Sequence, residues 1–369
     1  MARLRGRPKP WDRFAHWAPG AALVVIALSL LALLAAALTV RNDLLPGATP
    51  PATQVATVAT VPDSVERDTD LQLYDRIIAR VGQGEGYYHV AVEEQRARDF
   101  PVRPGLAVRL PTLAVVSGWL GEWGMMTLAS LLALGTLAAW YWRLENEPGG
   151  ADHRLYVMLL LVIGTAVGFK PQYLVLHEVW AGVLLALALA LHRRGRWLGA
   201  WIAAGLALTI REHALPFVLL MGALAAVRGD RREALAWGGL VLLFGLMLAL
   251  HLAQVAEFTN ASDPLSPGWL AWRGLGGWTG NIILSSPLQF IPGRLAAPLA
   301  LLPLLGWAGW KSDLGLAGFL LCLGYGVLFM IAGRDANFYW ALVIMPLWFI
   351  GLAFLPRTLA GLWNSARDY

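Results

Sequence analysis

Acidic side chains and paired tyrosines are concentrated in one stretch of an otherwise apolar chain. Residues 68–88 read DTDLQLYDRIIARVGQGEGYY. A carboxylate can take the proton from a hydroxyl nucleophile during group transfer, and this stretch offers Asp68, Asp70 and Asp75 for such a role. Glu85 and Tyr88, which follow in the same stretch, are candidates for substrate binding.

Basic side chains recur next to the apolar segments that follow. Such groups can stabilise the negative charge of a departing phosphate. An ionisable group at the end of a membrane span costs free energy unless it is solvated or paired, so their repetition predicts a shared polar cavity. The candidate phosphate-binding residues are Arg96, Arg103, Arg109, Lys170, Arg211 and Arg334. Further candidates for substrate binding are His213, Asp335, Asn337 and Tyr339.

The composition is that of a membrane protein with several spans. Of the 369 residues, 57% are hydrophobic and 14% are charged, and the mean hydropathy is +0.56. Soluble domains carry about 25% charged residues. The single cysteine, Cys322, excludes an internal disulfide and a cysteine-based metal cluster. The net charge of +5 lies mostly in short loops, so it indicates topology and not a nucleic-acid partner.

Apolar runs predict an all-α bundle of about ten transmembrane helices. The first run could instead be a signal peptide, because three alanines near its end resemble a cleavage site. Several runs are shorter than about 17 residues, which predicts breaks near residues 170 and 211. The approximate spans are 20–40, 123–142, 154–169, 176–192, 197–210, 214–227, 234–253, 293–310, 314–332 and 339–356.

Residues 1–369 are predicted to form one transmembrane domain, in which 41–105 is the first outer loop. The loop begins with an extended Pro-, Ala- and Thr-rich connector, and two juxtamembrane helices follow it. The first of these helices begins near Thr69 and is amphipathic. The basic loop at 192–196 is one of several that place both termini in the cytoplasm by the positive-inside rule. The first loop is then periplasmic, in a bacterial inner membrane.

The first loop also resembles a known family. DTDLQLYDRIIARVGQGEGYY, followed by EQRARDFPVRPGLAVRLPTLA, is similar to the first-loop pattern of the C-type (GT-C) glycosyltransferases. The resemblance is closest to their polyprenyl-phosphate-sugar-dependent mannosyltransferase branches and covers about residues 68–111. GRDANFYWALVIMP, near the end of the chain, supports it.

The resemblance implies both a fold and an activity. The fold is a bundle of transmembrane helices with two juxtamembrane helices in the first outer loop. The activity is transfer of a sugar from a polyprenyl phosphate to a hydroxyl of a lipid or glycan acceptor, with inversion. The family's first-loop catalytic base matches Asp70, and Asp68 is its close rival. Membrane lipids are the other expected partners, and no nucleic acid is expected.

Other interpretations of the same residues stay open. Asp70 could be an acid that stabilises the first turn of a helix. A flippase or transporter of lipid-linked intermediates could use the same cationic cavity, and so could an outer-leaflet ligase or polymerase with pyrophosphate donors. The DTD triplet could hold Mg²⁺ or Mn²⁺, although two carboxylates make an incomplete shell, so no metal ligand is assigned. No phosphate-binding loop, zinc-binding helix or serine-esterase elbow occurs in the sequence.

Overall fold

The computed structural model describes residues 9–41, 44, 69–166, 168 and 170–367. These residues form helices and short loops, with isolated bridges but no β-strand among them. The predicted all-α class is therefore confirmed for this part of the chain. Asp68 and all of the predicted connector except Leu44 lie outside the described residues.

The helices follow one another with short connections. The α-helices are α1 (Pro19–Leu38), α2 (Thr69–Gly82), α3 (Tyr87–Arg96), α4 (Thr112–Glu145), α5 (Gly150–Ala166), α6 (His177–Leu191), α7 (Leu198–Ile210), α8 (Leu215–Val227), α9 (Arg231–Phe258), α10 (Gly274–Leu284), α11 (Gly293–Gly309), α12 (Asp313–Ile331), α13 (Met345–Trp348) and α14 (Leu355–Arg367). The 3-10 helices are Gly105–Ala107, Pro171–Tyr173, Glu212–Ala214, Pro287–Phe290, Asp335–Val343 and Phe349–Ala353.

Several helices are long and apolar enough to cross a bilayer. Among the described residues these are α1, α4 with the turn before it, α9 and α12. Taken together, the segments Asp335–Val343 and Met345–Ala353 are also long and apolar enough to cross a bilayer, but a bend of 64° separates them. The chain is thus an all-helical protein whose apolar helices indicate a membrane-embedded bundle.

The short helices create a recess beside a long one. Helices α6, α7 and α8 contain 15, 13 and 13 residues, so they extend about 20 Å, less than the roughly 30 Å apolar core of a bilayer. Helix α9 has 28 residues and extends about 42 Å. It packs against α7 and α8. The predicted breaks near 170 and 211 are confirmed, and they lie at the recessed end.

The basic loops and both ends of the described chain meet at the opposite end of the bundle. Asp12 accepts hydrogen bonds from Arg357, and the Nε atom of Arg357 is 3.0 Å from its carboxylate. Arg194, in the basic loop after α6, pairs with Asp313 at 2.6 Å. The charged helices α2 and α3 lie at the other end, where α2 packs on α4 and α3 on α9. The two predicted juxtamembrane helices are present in the structure, and Leu71 and Ile77 of α2 are buried as expected.

The structure departs from the predicted helix boundaries in three places. Residues 274–284 lie between two predicted spans, but they form α10 and bury Trp278. The predicted span 339–356 is broken by a bend, where Pro346 lacks the N–H that a continuous helix would use. Residues after the last predicted span continue the amphipathic helix α14, which buries Leu362.

A glycine contact fixes the position of α11 against the segment after α13. A Cβ atom on Gly306 would overlap the carbonyl oxygen of Gly351. We expect Gly306→Ala to lower the free energy of unfolding by about 1–3 kcal/mol or more, because backbone atoms cannot move aside as a flexible side chain can. The apparent midpoint of thermal unfolding in detergent measures this effect.

The matched control is Gly245→Ala in α9, where the added Cβ meets no atom within 4 Å. Its midpoint should stay the same or rise, because alanine favours a helix over glycine. Equal midpoints for the two variants would contradict the close approach of the two backbones.

Candidate active site

Asp70 lines a cavity of about 450 Å³ at the recessed end of the bundle. It lies in the first turn of α2, where the helix dipole favours a negative charge. Tyr74 lies one turn later on the same face and lines the same cavity. Burial raises the pKa of the Tyr74 hydroxyl, so this side chain stays a neutral phenol. The amphipathic pattern of α2 thus buries its apolar face and directs Asp70 and Tyr74 to the cavity.

Arg109 connects α2 to the C-terminal part of the chain. Its Nε donates a hydrogen bond to the Tyr74 hydroxyl at 3.2 Å, and its Nη2 donates to the Tyr339 hydroxyl at 3.4 Å. The backbone of Arg109 is held by Tyr87, whose hydroxyl donates to the Arg109 carbonyl at 2.6 Å. The pKa of Tyr87 is raised by burial, so this donor keeps its proton. A guanidinium is therefore fixed in the same cavity as the carboxylate of Asp70.

Arg334 supplies a second guanidinium from the opposite wall. It precedes the 3-10 helix Asp335–Val343, and its backbone N–H donates to Asn337 Oδ1 at 3.0 Å. The same oxygen accepts from the Arg334 side chain at 3.4 Å. Arg334, Asn337 and Tyr339 all line the cavity, so the loop GRDANFY provides three of the predicted residues together.

Four of the six predicted phosphate ligands do not line the cavity, and two of these, Arg96 and Arg103, contact the connection after α9. The Nε atom of Arg96 is 2.6 Å from Asp263, and its Nη2 donates to the carbonyl of Phe258 at 2.6 Å. Arg103 donates to the carbonyl of Ala261. Both arginines hold the connection after α9 against the first loop, because an extended loop needs partners for its buried polar groups. In this structure both arginines therefore stabilise the loop and do not line the cavity.

Glu85 and Tyr88 also lie away from the cavity. Glu85 accepts hydrogen bonds from Arg80, with one oxygen 2.9 Å from its Nε, and this contact lowers the pKa of Glu85. Tyr88 faces α9, where its hydroxyl lies 3.3 Å from His251 Nδ1. Both residues therefore stabilise the packing of α2 and α3.

The remaining predicted residues do not line the cavity. Arg211 is fully buried and pairs with Glu178 at 2.7 Å and Glu212 at 2.5 Å. The His213 ring packs on Trp340 with a centroid distance of 4.4 Å. Lys170 precedes the turn Pro171–Tyr173. Asp335 is exposed and pairs with Arg273 at 3.1 Å, on the outer side of its loop.

Several residues to which the sequence assigns no role also line the cavity. His177 and Trp340 line the cavity together with Asp99 and Trp269. The sequence offered one usable signal, the ionisable pair His177 and Glu178 at the start of an apolar run, since such groups inside a span mark functional sites. Asp99 has a left-handed φ of 58°, an uncommon conformation that only the structure could reveal.

In the described part of the chain, no group of three or more His, Cys, Asp or Glu side chains is arranged to hold a metal ion. The DTD triplet, which suggested Mg²⁺ or Mn²⁺, includes Asp68, outside that part. The cavity is lined instead by side chains that can bind an organic ligand. They include the carboxylate of Asp70, two guanidiniums, and neutral aromatic side chains that can form hydrogen bonds.

The ion pair of Asp263 should make the loop after α9 sensitive to acid. Arg96 lowers the pKa of Asp263 from 3.8 to about 2. A depressed pKa in the folded protein contributes stability above the unfolded value, and that contribution is lost as the pH falls towards 2. After correction for the intrinsic exchange rate, we expect the protection of the amides in residues 259–267 to fall between about pH 4 and pH 2.

The control for this acid effect is Asp263→Asn, measured by hydrogen–deuterium exchange across the same pH range. The variant should exchange faster in residues 259–267 near pH 5, because Arg96 has lost its charged partner. It should also lack the additional loss of amide protection that the parent protein shows at low pH. If both proteins lose the same protection at low pH, another group carries the pH dependence.

No protein-family model, curated protein or solved structure matches the chain. The fold and the site themselves define the class of protein. It is a helical bundle with apolar helices long enough to span a membrane and a cavity lined by both charged and apolar side chains.

Proposed function

We propose that the protein is an integral-membrane glycosyltransferase of the GT-C type. It moves a sugar from a polyprenyl phosphate to an acceptor hydroxyl. The observation that carries the proposal is that Asp70 lines one recessed cavity with Arg109 and Arg334. A carboxylate beside two guanidiniums suits a reaction that removes a proton from a nucleophile and releases a phosphate.

The proposed steps conserve protons and charge. Asp70 removes the proton from the acceptor hydroxyl as its oxygen bonds to the anomeric carbon of the sugar. The bond from that carbon to the phosphate oxygen breaks, and its electron pair leaves with the polyprenyl phosphate. Arg109 and Arg334 stabilise the charge that develops on this phosphate. A single displacement of this kind inverts the anomeric centre, and the leaving group needs no proton.

The shape of the cavity supports a lipid donor that carries one sugar. Its volume of about 450 Å³ is near the lower end of the roughly 300–1,000 Å³ range of ligand sites. Apolar side chains of α2 and α4, among them Ile77, Ile78 and Leu113, form part of the wall and suit the first units of a prenyl chain.

The orientation we propose follows from the charges of the loops. Arg193, Arg194 and Arg196 lie in the connection after α6, and Arg231 and Arg232 lie at the start of α9, at the end away from the cavity. Positive loops remain in the cytoplasm. The cavity then opens to the periplasm of a bacterial inner membrane, and the donor enters from the outer leaflet of that membrane.

A transfer assay tests this proposal directly. Full-length protein in liposomes is incubated with an extract of membrane lipids and glycans as acceptors, and with a labelled hexose carried by either farnesyl phosphate or farnesyl pyrophosphate. We expect release of farnesyl phosphate together with a labelled product. Movement of the intact donor between leaflets, without cleavage, would contradict a transferase and support the flippase alternative. Consumption of only pyrophosphate-linked donors would support a ligase or polymerase.

A further inference from the structure

Two buried ring systems in the cavity wall have no hydrogen-bond partner in the described part of the chain. They are His177, at the start of α6, and Trp340, in the 3-10 helix that packs against α6. Only 4% of His177 and 6% of Trp340 is exposed. Neither ring nitrogen of His177 has a partner, and neither does Nε1 of Trp340. Buried polar groups in native proteins are normally paired, so these atoms indicate a ligand.

The two rings can form hydrogen bonds without carrying a charge. An indole N–H only donates, whereas a neutral imidazole donates from one nitrogen and accepts at the other. Keeping a buried ring neutral avoids the cost of burying a charge. Together the two side chains can donate two hydrogen bonds and accept one, which matches a hydroxyl-bearing ligand.

The charged groups next to these rings indicate whether the sugar or the phosphate of the proposed donor lies beside them. The Arg211 guanidinium lies 5.9 Å from the centre of the Trp340 ring. It pairs with two carboxylates, Glu178 and Glu212. Because these two carboxylates offset the charge of Arg211, this guanidinium adds little attraction for a phosphate beside the rings. The phosphate is better placed near Arg109 and Arg334.

We propose that His177 and Trp340 bind hydroxyl groups of the transferred sugar and so select a hydroxylated hexose. This inference rests on the proposed function and adds the location and chemistry of its sugar subsite. Trp340 is positioned by His213, which packs on its ring at 4.4 Å. Tyr74 packs edge-on against His177 with a centroid distance of 5.4 Å. Each of the two ligand-binding rings is thus held in place by an aromatic neighbour.

The test measures binding and needs no turnover. Full-length protein in nanodiscs is titrated with farnesyl phosphate alone and with farnesyl phosphate carrying mannose, glucose or galactose. In the parent protein we expect the preferred hexose conjugate to bind about tenfold more tightly than farnesyl phosphate. Trp340→Phe and His177→Phe should reduce this ratio to about threefold or less, with the affinity for farnesyl phosphate unchanged.

Two further variants separate the sugar subsite from a structural effect. Arg109→Gln should weaken all of the probes to a similar extent, because it lies on the phosphate side of the cavity. His177→Asn keeps a donor and an acceptor and should retain more of the hexose preference than His177→Phe. Thermal unfolding of each variant checks that the fold is intact.

The outcomes distinguish this inference from the proposed function. If the parent protein binds farnesyl phosphate but gains nothing from any of the hexoses, the sugar subsite is overturned and the lipid-phosphate site stands. The same conclusion follows if the ring variants keep the full hexose preference, or if they weaken every probe equally. If the parent protein binds none of the probes, the proposed function fails and the inference fails with it.

Discussion

Asp70→Asn is expected to reduce the rate of sugar transfer by about 10²–10⁴-fold. Asparagine has nearly the same shape as aspartate but cannot accept the proton of the acceptor hydroxyl. Asp70 lines the cavity together with Arg109 and Arg334, so the loss should appear in kcat while donor binding stays nearly unchanged. Initial rates with saturating donor, and separate donor-binding measurements, check both parts.

The matched control for this substitution is Asp75→Asn. Asp75 lies in the same helix but outside the cavity lining, so its replacement should leave the rate nearly unchanged. If Asp70 only stabilised the first turn of α2, its variant would lose thermal stability and keep its rate per folded molecule. Full activity of Asp70→Asn would overturn the assignment, and a collapse in Asp68→Asn alone would transfer the role of base to Asp68.

Glu178→Gln is expected to destabilise the fold by about 3–5 kcal/mol, because it removes one charge from a buried ion pair. Glu178 and Arg211 are almost completely buried, and the pair distance is 2.7 Å. Arg211 would then keep Glu212 as its acidic partner, and its charge cannot reach solvent. The effect should be seen as a lower unfolding midpoint in detergent and as aggregation during gel filtration.

Glu85→Gln provides the comparison for a pair near the surface. Glu85 pairs with Arg80 at 2.5 Å, but 38% of its side chain is exposed. Water replaces much of the lost interaction at such a site, so the midpoint should barely change. Equal shifts for the two variants would mean that burial does not determine the contribution of the Glu178–Arg211 pair.

The sequence by itself determined the class of fold and the positions of most helices. Long apolar runs cannot be placed in water, and their length matches helices such as α1, α9 and α12. The period of apolar residues in α2 predicted which of its faces is buried, because successive side chains on a helix follow a fixed angle. These are local properties, so a single sequence contains them.

Charge and spacing also predicted part of the site. Asp70, Arg109, Arg334, Asn337 and Tyr339 were selected from the sequence, and all of them line one cavity. These five residues come together because each lies where a loop meets a helix at the same end of the bundle. The same reasoning selected Arg96 and Arg211, which the fold uses for ion pairs instead.

Only the tertiary structure decided which of the cations remained available to a ligand. A guanidinium has the same charge wherever it occurs, but its partner depends on residues far away in the chain, as Asp263 lies 167 positions after Arg96. Packing likewise made α10 helical despite its glycines and left His177 and Trp340 without partners in the cavity wall. Burial and pairing are properties of the folded chain as a whole, because they depend on the contacts that distant segments make with one another.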